Sequence, residues 1–225
     1  MVVHKTQKNL PNEAFSGDID VNLLKSQEYT RRIRTHYLPL IQQYGATFQA
    51  VDWGSSQGQT NRFRILLEVG NIQNATILDV GCGIGHLVEH LSALNFQGKY
   101  LGIDIIPEMV GCARECYPTY LFQEGSILES DNNWIADYVL GSGLFNFGDR
   151  ELMEKTIQTM FESCSKAVAF NSLSNWAEKK ESGEFYADPL ATVQFCRTLT
   201  PWVVLRHDYI LHDFTIYMYR EPCYK

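Results

Sequence analysis

Residues 76–86 read TILDVGCGIGH, and this stretch decides the fold. The first five residues are apolar or β-branched except for one acid, which predicts a short buried strand. Three glycines at alternate positions follow, and then Leu87, Leu91 and Leu94 recur at helical spacing. Glycine permits sharp backbone turns and lets a ligand approach the main chain closely. The stretch therefore predicts a strand, a ligand-binding turn and a helix.

Apolar runs and helical repeats alternate along the chain after this turn. The predicted strands are residues 76–80, 99–103, 119–122, 136–140, 167–170, 202–207 and 214–219. Such alternation is typical of a mostly parallel sheet with helices on both faces. The last two strands are separated by only six residues, which is too short for a parallel crossover, so they must pair antiparallel. We expect the tip of this hairpin on the far side of the sheet from the glycine turn.

The first third of the chain has a different pattern. Apolar side chains at helical spacing predict a helix over Ser26–Tyr44, either kinked at Pro39 or divided there into two. A second helix is predicted to end near Gly70. Residues 1–70 are therefore interpreted as a helical cap or lid, and residues 71–225 as one compact ligand-binding domain.

Two classes of ligand compete for the glycine turn. A dinucleotide fold has the pattern G-x-G-x-x-G, but His86 occupies the third glycine position when the motif starts at Gly81. The chain has G-x-G-x-G instead, with Asp79 two places before the first glycine. This pattern resembles the first motif of the class I S-adenosylmethionine-dependent methyltransferases. The resemblance covers roughly residues 65–220 and implies a Rossmann-like, doubly wound α/β sheet of seven strands with an antiparallel C-terminal strand.

The resemblance also implies where S-adenosylmethionine binds. The loop lies along the methionine and ribose parts of the cofactor, and the acid before it orients the amino group or the loop. Asp104 ends the second strand about 20 residues later, where an acid accepts hydrogen bonds from ribose hydroxyls. A lid reading adds Arg62 as the partner of the methionine carboxylate and Trp53 as a closing ring. The predicted cofactor-binding residues are Asp79, Gly81, Cys82, Gly83, Gly85, Asp104, Ile105, Ser126, Ile127, Gly141, Ser142, Trp53 and Arg62.

Methyl transfer from a sulfonium is an in-line displacement, so the enzyme mainly has to position the reactants, which is worth about 7–11 kcal/mol of barrier. A base is needed only when the acceptor has a proton to lose. No metal is demanded, and no catalytic residue is fixed by the sequence; His207 and Asn171 are candidates. The predicted acceptor-binding residues are Tyr29, Tyr37, Asn146, Asn171 and Trp176.

The net charge of −7 on 225 residues argues against nucleic acid or an anionic membrane as partner. No apolar run approaches the roughly 20 residues of a membrane span, so a cytoplasmic protein is expected. The resemblance implies a methyltransferase, the acidic balance favours a small-molecule acceptor over DNA or RNA, and oxygen or nitrogen is the expected acceptor atom. A non-catalytic module that binds S-adenosylmethionine for regulation or scaffolding is the alternative, and an NAD-dependent oxidoreductase is the third interpretation. The acceptor and the oligomeric state are left open.

Overall fold

A computed structural model describes residues 21–129 and 134–223 of the chain. The helices are α1 (Val21–Tyr44), α2 (Ser56–Leu67), α3 (Leu87–Ala93), α4 (Pro107–Cys116), α5 (Arg150–Glu162) and α6 (Pro189–Leu199), with a short 3₁₀ helix over Phe48–Val51. The strands are β1 (Thr76–Val80), β2 (Lys99–Asp104), β3 (Leu121–Glu124), β4 (Ala136–Gly141), β5 (Cys164–Leu173), β6 (Val203–Ile210) and β7 (Asp213–Tyr219).

The seven strands form one sheet in the order β3-β2-β1-β4-β5-β7-β6. All pairs from β3 to β5 are parallel, and β7 runs antiparallel to both of its neighbours. The predicted doubly wound sheet with its antiparallel last strand is therefore confirmed. Because β2 and β4 flank β1, the winding direction changes at β1, and α/β folds place ligands at such a switch point.

The core lies on both faces of the sheet. Ile77 packs into a buried cluster with α2, α3 and α4, whereas its neighbour Leu78 packs into a second cluster with α5 and α6. Side chains alternate between the faces of a strand, so a strand covered on both sides is apolar at consecutive positions. This explains the apolar run that leads into the glycine turn.

The N-terminal helix runs through Pro39 as a single element, not as two short helices. Its residues Ile33, Tyr37 and Ile41 pack on a third apolar cluster beside the glycine turn, together with the 3₁₀ helix. Residues 1–20 of the predicted cap lie outside the described residues. The division of the chain at residue 70 stays a prediction.

The sequence analysis assigned no element to residues 189–199, which form α6. Asp188 caps this helix by accepting hydrogen bonds from the backbone N–H groups of Leu190 and Ala191, and Pro189 occupies its first turn. An acid followed by proline is a recognisable helix start, so the signal was present. The helix connects β5 to β6 and makes these two strands parallel.

Candidate active site

The glycine turn joins β1 to α3 and is held against β2. The backbone N–H groups of Gly81 and Cys82 both donate to the Ile103 carbonyl, at 2.8 and 3.0 Å. Gly81 and Gly83 have φ values of 68° and 54°, in the left-handed region that other residues rarely adopt. A side chain at Gly81 would also lie 2.8 Å from Leu144. Both positions therefore require glycine, and the backbone is exposed to whatever binds beside it.

Asp104 fixes the shape of the turn from the end of β2. Its Oδ2 atom accepts a hydrogen bond from the Gly83 backbone N–H, and Oδ1 accepts one from the Ile106 N–H, each at 2.9 Å. Burial raises the pKa of this carboxyl to about 6, against the lowering effect of those N–H groups. Asp104 thus supports the turn and faces the same cavity as the glycines.

Asp79 is the second buried acid of the site. The Tyr100 hydroxyl donates to its Oδ2 atom at 2.7 Å. Burial is the main cause that raises the pKa of Asp79 to about 7, and the Tyr100 hydrogen bond opposes this rise. A cation bound next to Asp79 would stabilise its charged form, and the amino group of a methionine moiety is such a cation.

Most residues predicted to hold the cofactor line one cavity at the carboxyl ends of β1, β2 and β4, here called the first cavity. They are Asp79, Gly81, Cys82, Gly83, Asp104, Ile105, Ser126, Ile127, Ser142 and Trp53. Two predicted residues lie behind the lining: Gly85 faces Phe122, and Gly141 packs against Met160 and Leu144. His86, in the place of the third dinucleotide glycine, has its ring in the lining, where the Gln59 amide donates to Nδ1 at 3.0 Å.

Helix α1 forms the roof of the first cavity. Tyr29 and Tyr37, both predicted to contact the acceptor, line it from above. The Tyr29 hydroxyl donates to the Leu144 carbonyl at 3.2 Å, which ties the helix to the loop after β4. Burial raises the pKa of both tyrosines, so they remain neutral at physiological pH. The roof can supply hydroxyl groups but no charge from these two residues.

A second cavity of about 470 Å³ adjoins the first, and most of its lining residues have polar side chains. It lies between the start of α2, the ends of β4 and β5 and the tip of the β6–β7 hairpin. Asn146, predicted to contact the acceptor, lines both cavities. The backbone N–H of Phe185 donates to the Asn146 carbonyl at 2.8 Å, so the loop before α6 is fixed to this residue.

Arg62 lies in the second cavity, not in the first. Its guanidinium donates to the buried carboxylate of Asp213 and lies 4.6 Å above the Trp53 ring. This differs from the expected pairing of Arg62 with the methionine carboxylate, because the guanidinium already faces a buried acid. The stacked Trp53 ring does lie at the first cavity, as the lid interpretation requires.

The Asn171 side chain connects β5 to the loop after β4. Its Oδ1 atom accepts a hydrogen bond from the Gly143 backbone N–H at 2.9 Å, and its Nδ2 atom donates to the Ser142 hydroxyl at 3.0 Å. The amide is therefore committed to shaping the loop after β4. This geometry favours a positioning role for Asn171 over the catalytic role considered for it.

The predicted position of the tip of the final hairpin was wrong. Leu173, at the end of β5, pairs with Asp213, at the start of β7, so the hairpin tip lies at the same sheet edge as the glycine turn. His212, in the tip, lines the second cavity, and burial followed by the charge of Arg62 lowers the pKa of its imidazole.

His207 and Trp176 contact each other and line neither cavity; His207 is hydrogen-bonded to the Ser174 hydroxyl at 2.9 Å. The structure therefore brings neither of them to the site.

The charged side chains of the loop after β5 were missed. Lys179, Glu181 and Glu184 line the second cavity. Tyr186 joins them, since its hydroxyl donates to Glu184 at 2.7 Å and accepts from the Glu181 backbone N–H at 2.9 Å. A polar loop directly after a parallel strand is a signal for site residues, because such loops gather at the carboxyl edge of the sheet.

The residues present fit S-adenosylmethionine. A carboxylate that needs a cation, Asp79, and one that can accept hydroxyl hydrogen bonds, Asp104, face the same cavity as the bare glycine backbone. Apolar Ile105 and Ile127 line it where an adenine ring needs a surface. Together with the strand order, this arrangement defines a class I methyltransferase site.

Comparison with known proteins agrees with this class. Residues 72–199 match a family described as a methyltransferase domain. A Mycobacterium tuberculosis protein named "Putative methyltransferase Rv1506c" is 35% identical over 156 residues, which cover 63% of this chain and 90% of that protein. The chain therefore belongs to the class I S-adenosylmethionine-dependent methyltransferase family.

Solved structures share the fold at low sequence identity. Magnesium protoporphyrin IX methyltransferase from Synechocystis, crystallised with S-adenosylhomocysteine, has a TM-score of 0.64 and 12% identity, over 90% of this chain and 100% of that one. An O-methyltransferase family protein from Burkholderia thailandensis also gives 0.64 at 12% identity, over 86% and 70%. The predicted family, enzyme class and cofactor are confirmed.

Across residues 21–129 and 134–223, no helix is both long and apolar enough to cross a bilayer.

Asp79→Asn is expected to stabilise the protein at pH 8. Because burial raises the pKa of Asp79 from 3.8 to about 7, the folded chain holds a proton between these values that the unfolded chain has released. The contribution of Asp79 to the free energy of unfolding therefore falls as the pH rises between these two pKa values. Thermal unfolding should give a higher Tm for the variant at pH 8, with a smaller difference at pH 5.

Asp137→Asn is the matched control for this prediction. Hydrogen bonding from the Thr76 backbone N–H lowers the pKa of Asp137. The charged carboxylate of Asp137 therefore stabilises the folded chain, and Asp137→Asn should be less stable than the wild type at pH 8. An Asp79→Asn protein that is less stable than the wild type at pH 8 would show that the buried carboxylate is not destabilising.

Proposed function

We propose that this enzyme methylates an oxygen or nitrogen atom of a small molecule. S-adenosylmethionine would supply a methyl group on a positively charged sulfur, and the acceptor atom would bond to the methyl carbon in line with the carbon–sulfur bond while sulfur leaves with the electron pair. The chain's own task is then to hold the acceptor in the second cavity, next to the cofactor residues of the first. A bounded cavity beside the cofactor residues is the feature that supports a small acceptor.

The observation that carries this proposal is the shared wall of the two cavities. Asp52, Trp53, Gly143 and Asn146 line both, so the second cavity adjoins the first at these four residues. Cavities of about 300–1,000 Å³ are typical of small-molecule sites. The polar lining of the second cavity favours an acceptor with several hydrogen-bonding groups.

Acidic side chains around the site support the same choice. Asp52, Glu181, Glu184 and Asp213 line the second cavity, against Lys179 and Arg62 as permanent cations. With a net charge of −7 for the whole chain, a polyanion such as nucleic acid is repelled from this edge of the sheet. We therefore place the reaction on a small molecule and not on DNA or RNA.

The test measures S-adenosylhomocysteine release from methyl-labelled S-adenosylmethionine. The purified chain is incubated with a cell extract that has been separated into small molecules and macromolecules. Label and S-adenosylhomocysteine are expected with the small-molecule fraction. Label found only on the macromolecules would overturn the proposed acceptor class. Tight binding of S-adenosylmethionine without turnover in either fraction would instead identify the non-catalytic module.

A further inference from the structure

The two cavities adjoin at a junction formed by the four residues that line both. Of the four residues that line both, Gly143 has no side chain, and the Trp53 ring packs over it: a side-chain carbon at Gly143 would lie 3.4 Å from that ring. Asn146 is neutral. Asp52 is the one titratable residue of the four. Asp52 is therefore the residue of this junction that can accept a proton.

The fold holds Asp52 firmly at this junction. It ends the 3₁₀ helix in the left-handed conformation, with φ of 56°, and its backbone N–H donates to the Gln49 carbonyl at 3.1 Å. On the side of α1, the His36 Nε2 atom lies 2.7 Å from Asp52 Oδ2. The side chain is 49% exposed, so a proton received there can pass on to water.

Other acids near the second cavity are less suited to accept a proton from a reacting atom. Asp213 is buried and paired with Arg62. Glu181 and Glu184 lie on the loop after β5 and line only the second cavity, and Glu184 already accepts a hydrogen bond from the Tyr186 hydroxyl. His212 has its Nε2 atom 3.3 Å from Arg62, which only donates, so its lone pair is engaged.

The charges also restrict the acceptor. The Arg62–Asp213 pair is neutral overall, which leaves Lys179 against Asp52, Glu181 and Glu184. A phosphate or carboxylate would meet this excess of negative charge without a free arginine to bind it. The hydroxyl and amide groups of Tyr186, Ser172 and Asn146 suit a ligand that both donates and accepts hydrogen bonds.

We propose that Asp52 is a catalytic residue that accepts the proton of an acceptor hydroxyl group, and that the second cavity takes a hydroxyl-bearing molecule without an anionic group. This inference rests on the proposed function and makes its acceptor specific. The acceptor O–H bond breaks and its proton goes to the Asp52 carboxylate, while the oxygen forms a bond to the methyl carbon. The carbon–sulfur bond breaks with its electron pair left on sulfur, so no further reactant is needed.

The experiment compares Asp52→Asn with the wild type. Asparagine tolerates the left-handed conformation and keeps the side-chain shape, so the variant is expected to fold. The probes are glycerol, methyl β-D-glucopyranoside and hydroquinone, each paired with a monophosphate ester that keeps a free hydroxyl: glycerol 3-phosphate, methyl β-D-glucopyranoside 6-phosphate and 4-hydroxyphenyl phosphate. S-adenosylhomocysteine release gives the rate, and calorimetry gives the cofactor Kd.

Release is expected with the neutral hydroxyl probes and not with the phosphate esters. Asp52→Asn should lower the rate about 100-fold or more, the range of general base catalysis, with the cofactor Kd within twofold. Asp208→Asn is the matched control: this exposed carboxylate pairs with Arg206 outside both cavities, and its removal should leave the rate unchanged. His36→Gln retains a donor to Asp52 and should lose less activity than His36→Ala.

Three results would overturn the inference. They are an Asp52→Asn enzyme as active as the wild type, equal rates with the phosphate esters, and release with none of the six probes. In each case, turnover with the small-molecule fraction of the extract would still support the proposed function. If that fraction also gives no turnover, the proposed function itself fails.

Discussion

Replacing Arg62 with methionine is expected to lower the free energy of unfolding by about 3–5 kcal/mol, the usual cost of leaving one partner of a buried ion pair alone. Arg62 and Asp213 are both buried, and they join α2 to the start of β7 across 151 positions of sequence. The Tyr209 hydroxyl also donates to Asp213 at 3.2 Å, but a single neutral donor does not replace the guanidinium. Urea unfolding at pH 8 measures the loss.

Two further variants test this prediction. Arg64 lies on the same helix, 64% exposed and 3.8 Å from Glu68, so Arg64→Met should cost less than about 1 kcal/mol. Removal of both partners, as in Arg62→Met with Asp213→Leu, should recover most of the loss, because two apolar side chains often replace a buried pair without cost. Equal losses for Arg62→Met and Arg64→Met would contradict a stabilising pair.

The pH dependence of the Arg62→Met penalty follows from Asp213. Burial raises the pKa of Asp213 to about 6 even with Arg62 beside it, and removal of the guanidinium raises it further. Protonation relieves the uncompensated charge, so the difference in unfolding free energy between variant and wild type should be smaller at pH 5 than at pH 8. A penalty that does not change with pH would point to lost packing on Trp53 instead.

The Arg62–Asp213 ion pair is a contact that the sequence pattern could not predict. Arg62 was expected to face a ligand because it lies in the segment ahead of the first strand that was interpreted as a lid. Its partner comes from the last strand, and only the pairing of β7 with β5 brings the two together. Long-range partners of this kind depend on the strand order, whereas the glycine turn depends on a few consecutive residues. For this reason, the turn was predictable and the Arg62 contact was not.

The position of the hairpin tip is a second feature that was predicted wrongly, and the cause is physical. The six residues between β6 and β7 correctly predicted an antiparallel pair. The side of the sheet on which the tip lies depends on the direction of β6, and α6 sets that direction because a crossover helix between β5 and β6 makes them parallel. Since residues 189–199 were assigned no element, His212 was placed away from the cofactor. The cap signal at Asp188 and Pro189 contained the missing information.

The cofactor half of the site was more predictable than the acceptor half for a similar reason. Asp79, the glycines and Asp104 lie at the ends of two adjacent parallel strands, where spacing along the chain fixes position in space. The second cavity takes residues from α2, β5, β6 and β7 and from the loops before α2, after β4 and after β5. Asp52 was not among the predicted site residues, because its place between the two cavities depends on how the 3₁₀ helix packs below α1.

Asp104→Asn is expected to weaken cofactor binding about 10- to 100-fold, since a hydrogen bond to a charged group contributes about 1.5–3 kcal/mol. We propose that the Asp104 carboxylate accepts hydrogen bonds from the ribose hydroxyls while it holds the N–H groups of Gly83 and Ile106. An amide has one oxygen instead of two, so it cannot serve both sets. Titration calorimetry with S-adenosylhomocysteine measures the change in Kd.

Glu124→Gln provides the control, because Glu124 lies directly opposite Asp104 on β3, at the same sheet edge, but is exposed and outside the first cavity. Its Kd should stay within twofold of the wild type. A contact with ribose is separated from a purely structural role by the 2′,3′-dideoxy analogue of S-adenosylhomocysteine. Deleting the hydroxyls should weaken binding to the wild type strongly and to Asp104→Asn little, because both changes remove the same hydrogen bonds. Two losses that simply add would mean that Asp104 acts only by shaping the glycine turn.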